Sequence, residues 1–178
     1  MTDLSITILH ETPADAAAIE RLHERTFGPG RFARTAYRLR EKAERRLDLC
    51  FTARVGTLLV GSLWQTPIVI GETPALFLGP VTIEPPFRGH GIGQALIRRA
   101  LDDARGKGYR LVLLVGDAPY YARFGFTAAA TGGLLMPGPV DRYRFLAVEF
   151  AKGALAGAEG MLVATGEVDR RLAAAIAA

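Results

Sequence analysis

The sequence predicts an α/β protein of the α+β type, with a central mixed, mostly antiparallel sheet flanked by helices. Three observations predict this fold class. Strand and helix patterns alternate at the N-terminus, closely spaced apolar strand patterns fill the middle of the chain, and an amphipathic helix pattern then joins two further strand patterns. The 178 residues, of which 49% are hydrophobic and 22% charged, suit a domain with its own core.

The first predicted elements are a strand and two helices. "SITILH" alternates as a strand, and "ETPADAAAIERLHERTF" follows with the signals of a helix start: Thr12 as N-cap, Pro13 in the first helical position and Asp15 three residues after the cap. "FGPG" interrupts the chain, and a second, basic helix is predicted from about Arg34 to Leu47.

Three strand-like runs follow, "LCFTARV", "TLLVGSLWQTPIVI" and "ALFLGPVTI". Their connections are short and turn-prone, and such connections favour antiparallel neighbours. An antiparallel meander is therefore predicted for the middle of the chain.

A βαβ unit is predicted next. Apolar residues recur with helical spacing from Gly93 to Ala104, and "YRLVLLV" is typical of a strand buried on both faces. The strands of residues 75–83 and 109–115 are therefore expected to be parallel. "GDAPYYARFGF" predicts a turn, a short helix and a break at Gly125, and "DRYRFLAVEF" alternates as a last core strand.

Three glycines at alternate positions, Gly89, Gly91 and Gly93, precede the helix of this unit. Glycine destabilises a helix relative to alanine, so its repeated use needs a reason. A helix N-terminus has unpaired N–H groups and a partial positive charge, and glycines let an anion approach them. We interpret the turn as a phosphate cradle with Arg88 as an adjacent cation; the alternative is a tight turn that holds no ligand.

Other phosphate motifs and other anionic partners are less well supported. The sequence has no GxxxxGK[ST], and a dinucleotide fingerprint fails because Gln94 or Leu96 stands where its last glycine belongs. The net charge of +4 owes much to "RFARTAYRLREKAERR", which is interpreted as a solvated helix face. No zinc spacing or aromatic RNA-binding motif accompanies this run, so a nucleic-acid partner is not favoured.

Two motifs carry a resemblance to the GNAT superfamily of acetyl-CoA-dependent N-acetyltransferases. "RGHGIG" matches the family signature [RQ]-x-x-G-x-[GA], and "YYARFGF" is similar to the C-terminal segment [FY]Yxx[LF]GF. The resemblance covers roughly residues 4–150, and "GDAPYYARFGF" is particularly similar to the YhbS-like subgroup. It implies a GNAT-like sheet whose parallel strand pair splays apart, a domain over residues 1–150, and an extension over residues 151–178 that packs on the domain or at an oligomer interface.

The resemblance also implies a donor, acetyl-CoA, and no metal. The pyrophosphate would lie on the glycine turn and the pantetheine arm along the strand before it. The implied cofactor-binding residues are Val81, Thr82, Ile83, Arg88, Gly89, His90, Gly91, Ile92 and Gly93. Tyr121 matches the tyrosine that protonates the leaving thiolate, and a phenol with a pKa of ~10 is protonated at neutral pH. Tyr120 is expected to be a packing neighbour.

The general base and the acceptor stay open. Asp117 stands where many family members have an Asn, and the strand before Glu84 has no carboxylate. The base candidates are Glu72, Asp117, His10 and Glu84, or a water chain. Phe27, Phe32 and Tyr37 are candidates to line the amine pocket, with core packing as an equal alternative. An acidic substrate is weakly favoured by Arg31, Arg34 and Arg38.

The function expected from the resemblance is acetyl transfer to a primary amine of a small molecule or peptide, by direct attack in a ternary complex. The alternatives are a non-catalytic acyl-CoA-binding or regulatory module and an acyltransferase with a longer acyl donor.

No apolar run reaches the ~18 residues of a membrane span, so a cytoplasmic location without a membrane partner is expected, with a possible homodimer. Cys50 is expected to be buried. Beyond the family core, residues 161–165 predict an extra edge strand and "VDRRLAAAIAA" a short helix.

Overall fold

The computed structural model describes residues 4–166. These residues form eight strands and four α-helices. In chain order they are β1 (Ile6–His10), α1 (Ala16–Phe27), α2 (Thr35–Glu41), β2 (Phe51–Val55), β3 (Leu58–Ile70), β4 (Thr73–Ile83), α3 (Ile92–Gly106), β5 (Leu111–Val115), α4 (Ala118–Tyr121), β6 (Leu134–Leu135), β7 (Phe145–Glu149) and β8 (Gly160–Ala164). None of the helices in this part of the chain has the length and apolarity needed to cross a membrane.

The predicted fold class is confirmed. The strand order is β1-β2-β3-β4-β5-β7, and β8 pairs with both β3 and β6. The pairs β1–β2, β2–β3, β5–β7 and β3–β8 are antiparallel. The predicted parallel pair is β4–β5, joined at Leu76↔Val112 and Phe77↔Leu113, after which β4 continues to Ile83.

The second helix is shorter than predicted. It ends at Glu41 instead of near Leu47, where a 3-10 turn begins. Leu39 is the buried residue of this helix and packs into the core. Beyond Leu39 the same helical face continues with Lys42 and Ala43, so no large apolar side chain holds a further turn.

The C-terminal strands also differ from the prediction. The strand predicted at residues 161–165 is present as β8, but it is not an edge strand because it pairs on two sides. The two-residue strand β6 was not predicted, since a segment of this length has no detectable periodicity. The predicted helix in "VDRRLAAAIAA" lies outside the described residues.

The described chain divides into two compact units. The first contains residues 4–31, 46–65 and 78–107, and the second contains residues 32–45, 66–77 and 108–166. β3 and β4 contribute residues to both units. The boundary predicted at residue 150 stays a prediction.

In the first unit, α3 packs against β1 and β2 with the face predicted from its spacing. Its buried residues are Ile92, Leu96, Ile97, Ala100, Leu101 and Ala104. Gly61 of β3 permits the close approach, because a Cβ there would lie 3.2 Å from Leu96 Cδ1 and 2.9 Å from Ile83 Cδ1. The buried amide of Gln65 donates to the carbonyls of Leu49 at 3.3 Å and Ala100 at 3.2 Å. These contacts fix α3 on the sheet.

The start of the first helical segment is fixed by Asp15. Its carboxylate accepts hydrogen bonds from the backbone N–H of Thr12 at 2.9 Å and from the Thr12 hydroxyl at 3.0 Å. The capping position predicted for Thr12 is confirmed, although the first turn, Pro13–Asp15, is a 3-10 helix. Asp15 also forms an ion pair with Arg54 of β2. The cap thus ties the helix start to the sheet.

In the second unit, the core forms around the paired parts of β4, β5, β7 and β8. Phe77, Leu113, Phe145 and Leu162 are among its buried residues, and Leu39 of α2 joins them. β5 is buried from residue 111 to residue 114, as its continuous apolar run predicted. α2 is thereby held on the sheet of this unit.

We expect Leu96→Ala to lower the free energy of unfolding by about 2–5 kcal/mol, because it removes a fully buried side chain and leaves a cavity against Gly61. Urea denaturation measures this loss. The matched control is Leu58→Ala, whose side chain is 55% exposed and whose removal should cost about 0.5 kcal/mol or less. Equal losses in the two variants would contradict the packing of α3 described above.

Candidate functional site

The glycine turn, residues 88–93, joins a short 3-10 turn at Pro85–Phe87 to α3. Gly89 has φ +82° and Gly91, the N-cap of α3, has φ +77°. Residues with a Cβ rarely adopt these angles. A Cβ at either glycine would meet no atom within 4 Å, so the backbone conformation, and not packing within the unit, requires glycine here. Residues 88–91 of the turn are exposed, Gly93 is half-buried and Ile92 is buried.

The N-terminus of α3 offers backbone donors next to this turn. The first amide that bonds back to the turn is that of Ala95, which donates to the Gly91 carbonyl at 3.0 Å. The amides of Ile92, Gly93 and Gln94 come before it in the chain, and the first N–H groups of an α-helix have no carbonyl partner within the helix. These N–H groups and the helix dipole suit an anion.

The side chains of the turn contact its own backbone. Arg88 Nε donates to the Ile83 carbonyl at 3.2 Å, and the Arg88 amide donates to Pro85 at 3.2 Å. The Nδ1 atom of His90 lies 3.0 Å from the Arg88 carbonyl. Arg88 and His90 therefore stabilise the turn, and the Arg88 amide is engaged within it.

The strand end before the turn is held by neighbours in the first unit. Thr82 is buried, and its hydroxyl donates to the Ser62 carbonyl at 3.4 Å. Glu84 forms an ion pair with Arg25 of α1, and its amide donates to the Val60 carbonyl at 2.8 Å. The contacts of Thr82 and Glu84 thus hold the backbone of residues 81–83 in place.

The tyrosine segment, residues 116–126, belongs to the second unit. Asp117 is the N-cap of α4: its carboxylate accepts from the Tyr120 amide at 3.2 Å, and its carbonyl accepts from the Tyr121 amide at 3.0 Å. The helix ends in a 3-10 turn closed by Gly125 with φ +88°, the predicted break. The Arg123 guanidinium lies 4.6 Å from the centroid of the Tyr120 ring, in agreement with a packing role for Tyr120.

The ring of Tyr121 is surrounded by other aromatic rings. Its centroid lies 5.0 Å from that of Tyr120 and 5.9 Å from that of the buried Phe126. Burial raises the pKa of the Tyr121 phenol to about 12; Tyr120 and Asp117 add to the rise, and Arg144 opposes it. The phenol is therefore fully protonated at neutral pH and is available as a proton donor.

Sequence reasoning missed Gly116, which makes room for this ring. A Cβ at Gly116 would lie 2.3 Å from Cε2 of Tyr121 and 3.0 Å from Cδ1 of Leu114. The Gly116 amide also donates to the Arg144 carbonyl at 2.9 Å. A glycine at the end of an apolar strand signals a close approach, but the sequence does not say by which side chain.

The four candidates for the general base lie in different settings. Glu72 and His10 are exposed, and the ring of His10 lies 4.6 Å from that of Phe51. Asp117 caps α4 and Glu84 pairs with Arg25, as described above. Within residues 4–166, no group of three or more His, Cys, Asp or Glu side chains is placed to hold a metal ion.

The aromatic residues proposed for the acceptor pocket belong to different units. Phe27 belongs to the first unit, whereas Phe32 and Tyr37 lie in the second with their centroids 5.6 Å apart. Arg31 is buried, pairs with Glu20 and donates to the Gly28 carbonyl at 2.9 Å. Arg31 is thus engaged within the protein. Arg34 and Arg38 are exposed.

The fold, the glycine turn and the tyrosine segment together define a class of acyltransferase-like proteins. A family model described as the acetyltransferase (GNAT) family matches residues 16–126. The chain belongs to this family.

Individual relatives agree with this assignment. The chain is 30% identical over 154 residues to the uncharacterized N-acetyltransferase YhbS of Escherichia coli K12, covering 85% of this chain and 92% of the relative. The crystal structure of Escherichia coli YhbS in complex with CoA is similar with a TM-score of 0.77 at 27% identity, over 90% of each chain. A GNAT acetyltransferase of Brucella melitensis in complex with acetyl-CoA gives a TM-score of 0.62 at 30% identity, over 83% of this chain and 90% of the other.

We expect Gly116→Ala to displace the Tyr121 ring, because the added methyl group overlaps it. The ring resonances of Tyr121 should shift in NMR spectra, and the free energy of unfolding should fall by about 1–3 kcal/mol. Gly132→Ala is the control, because a Cβ at the exposed Gly132 would meet no atom within 4 Å. Unchanged Tyr121 resonances in Gly116→Ala would refute the close contact.

Proposed function

We propose that this protein transfers an acetyl group from acetyl-CoA to a primary amine by direct attack in a ternary complex. The observation that carries the proposal is the exposed glycine turn at the N-terminus of α3, whose free amides suit a pyrophosphate. Membership of the GNAT family supports the reaction. The CoA and acetyl-CoA in the two solved relatives support the donor.

In this proposal the amides from Gly89 to Gly93 bind the pyrophosphate, and the main chain of residues 81–83 pairs with the pantetheine arm as an added strand would. The Arg88 guanidinium, whose Nε donates to the Ile83 carbonyl, is a cation beside the bound phosphates.

The chemical step needs a proton donor and a proton acceptor. The amine nitrogen forms a bond to the thioester carbon, the C–S bond breaks, and the sulfur leaves with its electron pair. Tyr121 donates a proton to this sulfur, and a backbone amide near Val81 polarises the carbonyl oxygen. The amine loses its proton to water or to one of the four candidates Glu72, Asp117, His10 and Glu84.

Calorimetric titration with acetyl-CoA, followed by a thiol-release assay with primary amines, tests this function. Binding followed by thiol release with an amine agrees with the proposal. Binding without release from any small or peptide amine would favour a non-catalytic acyl-CoA-binding module. Faster release from a longer acyl-CoA than from acetyl-CoA would change the donor, and absence of binding would refute the assignment of the turn.

Gly91→Val is expected to weaken acetyl-CoA binding by more than about tenfold, since the side chain strains the left-handed position and obstructs the amides. The control is Gly108→Val, because Gly108 has a similar φ of +86°, is exposed and lies beyond the other end of α3. Both variants should lose stability, but only Gly91→Val should lose binding in the titration. Wild-type affinity in Gly91→Val would remove the phosphate-binding role of the turn.

Tyr121→Phe is expected to bind acetyl-CoA normally and to slow thiol release by ~10²-fold or more, the usual contribution of a general acid. Steady-state kinetics should place the loss in kcat. Tyr120→Phe, in the same segment, should retain most of the activity. An unchanged rate in Tyr121→Phe would show that the proton comes from another group.

The same variant tests the protonation state of the phenol. With its pKa raised to about 12, Tyr121 keeps its proton to a higher pH than a free tyrosine does. In an ultraviolet pH titration, wild type and Tyr121→Phe should therefore differ only above about pH 11. A difference centred near pH ~10 would contradict the effect of burial.

A further inference from the structure

The second unit contains a cavity of about 460 Å³ between α2, β8 and the loop at Pro137. This volume falls in the range typical of small-molecule sites. Leu39 and Leu162 are its buried apolar residues, and Phe32 and Met161 add apolar surface that is 53% and 44% exposed. The cavity therefore offers an apolar wall that a ligand can reach from solvent.

The wall at Pro137 is held tightly to α2. The Thr35 hydroxyl donates to the Pro139 carbonyl at 2.6 Å. A Cβ on Gly138 would lie 2.9 Å from Oγ1 of Thr35 and 3.4 Å from Nη1 of Arg38. Gly138 thus lets the loop pack against the helix beside the Arg38 guanidinium. This contact fixes the position of the cavity wall at Pro137.

The charges at the cavity favour an anion. Arg38 and Lys42 line it one helical turn apart, and among its described lining residues Glu41 supplies one carboxylate. Arg38 is exposed, and its guanidinium forms no hydrogen bond or ion pair with another of the described residues. Arg40 on the same helix differs, because its guanidinium lies 5.4 Å from the Tyr37 ring centroid and 5.6 Å from that of Phe77.

We propose that this cavity binds a small carboxylate with an apolar body, such as an aromatic or short aliphatic acid. The planar guanidinium of Arg38 matches a carboxylate in a two-point hydrogen-bonded pair, and Lys42 adds positive charge. The apolar body lies against Leu39, Leu162 and Met161. This site goes beyond acetyl transfer and does not rest on it.

The test compares two probes with the same apolar body, 4-phenylbutyrate and 4-phenylbutylamine, titrated into the full chain without acetyl-CoA. Two-dimensional NMR reports both affinity and place. We expect the carboxylate to bind about tenfold or more tightly than the amine, with shifts at the amides of Leu162 and Val163. Equal binding of both probes, or shifts confined to the glycine turn, would overturn the proposal.

Arg38→Gln should weaken 4-phenylbutyrate binding by about tenfold. Arg21→Gln, an exposed arginine of α1 in the first unit, is the charge-matched control and should bind as wild type does. Met161→Trp at the half-open wall should fill the cavity and reduce binding of the same probe. Circular dichroism checks that each variant folds. Wild-type affinity in a folded Arg38→Gln or Met161→Trp variant would refute the assignment.

Discussion

The left-handed backbone at Gly89 and Gly91 is the constraint from which the rest of the site follows. It lets the chain leave β4 and enter α3 within a few residues, with the turn exposed and the first helical amides without partners in the helix. A turn of this kind is useful only on a rigid support. The support is α3, which Gly61 admits close to the sheet and which the Gln65 amide holds through the carbonyl of Ala100.

Tyr121 depends on a different kind of constraint, one of space. Its ring lies where a side chain on Gly116 would stand, and Phe126 and Tyr120 enclose it. The enclosure that positions the phenol also shields it from water and raises its pKa, so the phenol keeps its proton to a higher pH than a free tyrosine does. The position of the ring and its raised pKa therefore have one cause, and the Asp117 cap fixes the short helix that carries the ring.

The features predicted from the sequence are those with a local signal. Each of these signals is contained in a short stretch of sequence: the helical spacing in α3, the apolar run of β5 and the glycine spacing around Gly91. Two of the features that were missed lie within five residues of chain, the contact of Gly116 with Tyr121 and the hydrogen bond from Arg88 to the Ile83 carbonyl, but they depend on side-chain packing that periodicity does not encode. The second partner of β8 depends on segments that are distant in the chain. The end of α2 was misjudged for a similar reason, since it depends on the burial of Leu39 and not on helix propensity.

The basic run from residue 31 to residue 46 shows why composition alone did not define its partner. Its positive charge suggested a solvated face or an anionic ligand, but the arginines have separate environments. Arg31 is buried against Glu20, Arg40 lies over aromatic rings, and Arg38 lines a cavity with an apolar wall. Five cations of the run are exposed, Arg34, Arg38, Lys42, Arg45 and Arg46, so exposure alone does not distinguish a polyanion from a single anion. Of these, Arg38 and Lys42 line the cavity with the apolar wall, and it is this apolar surface beside a cation that favours a small anion with an apolar body.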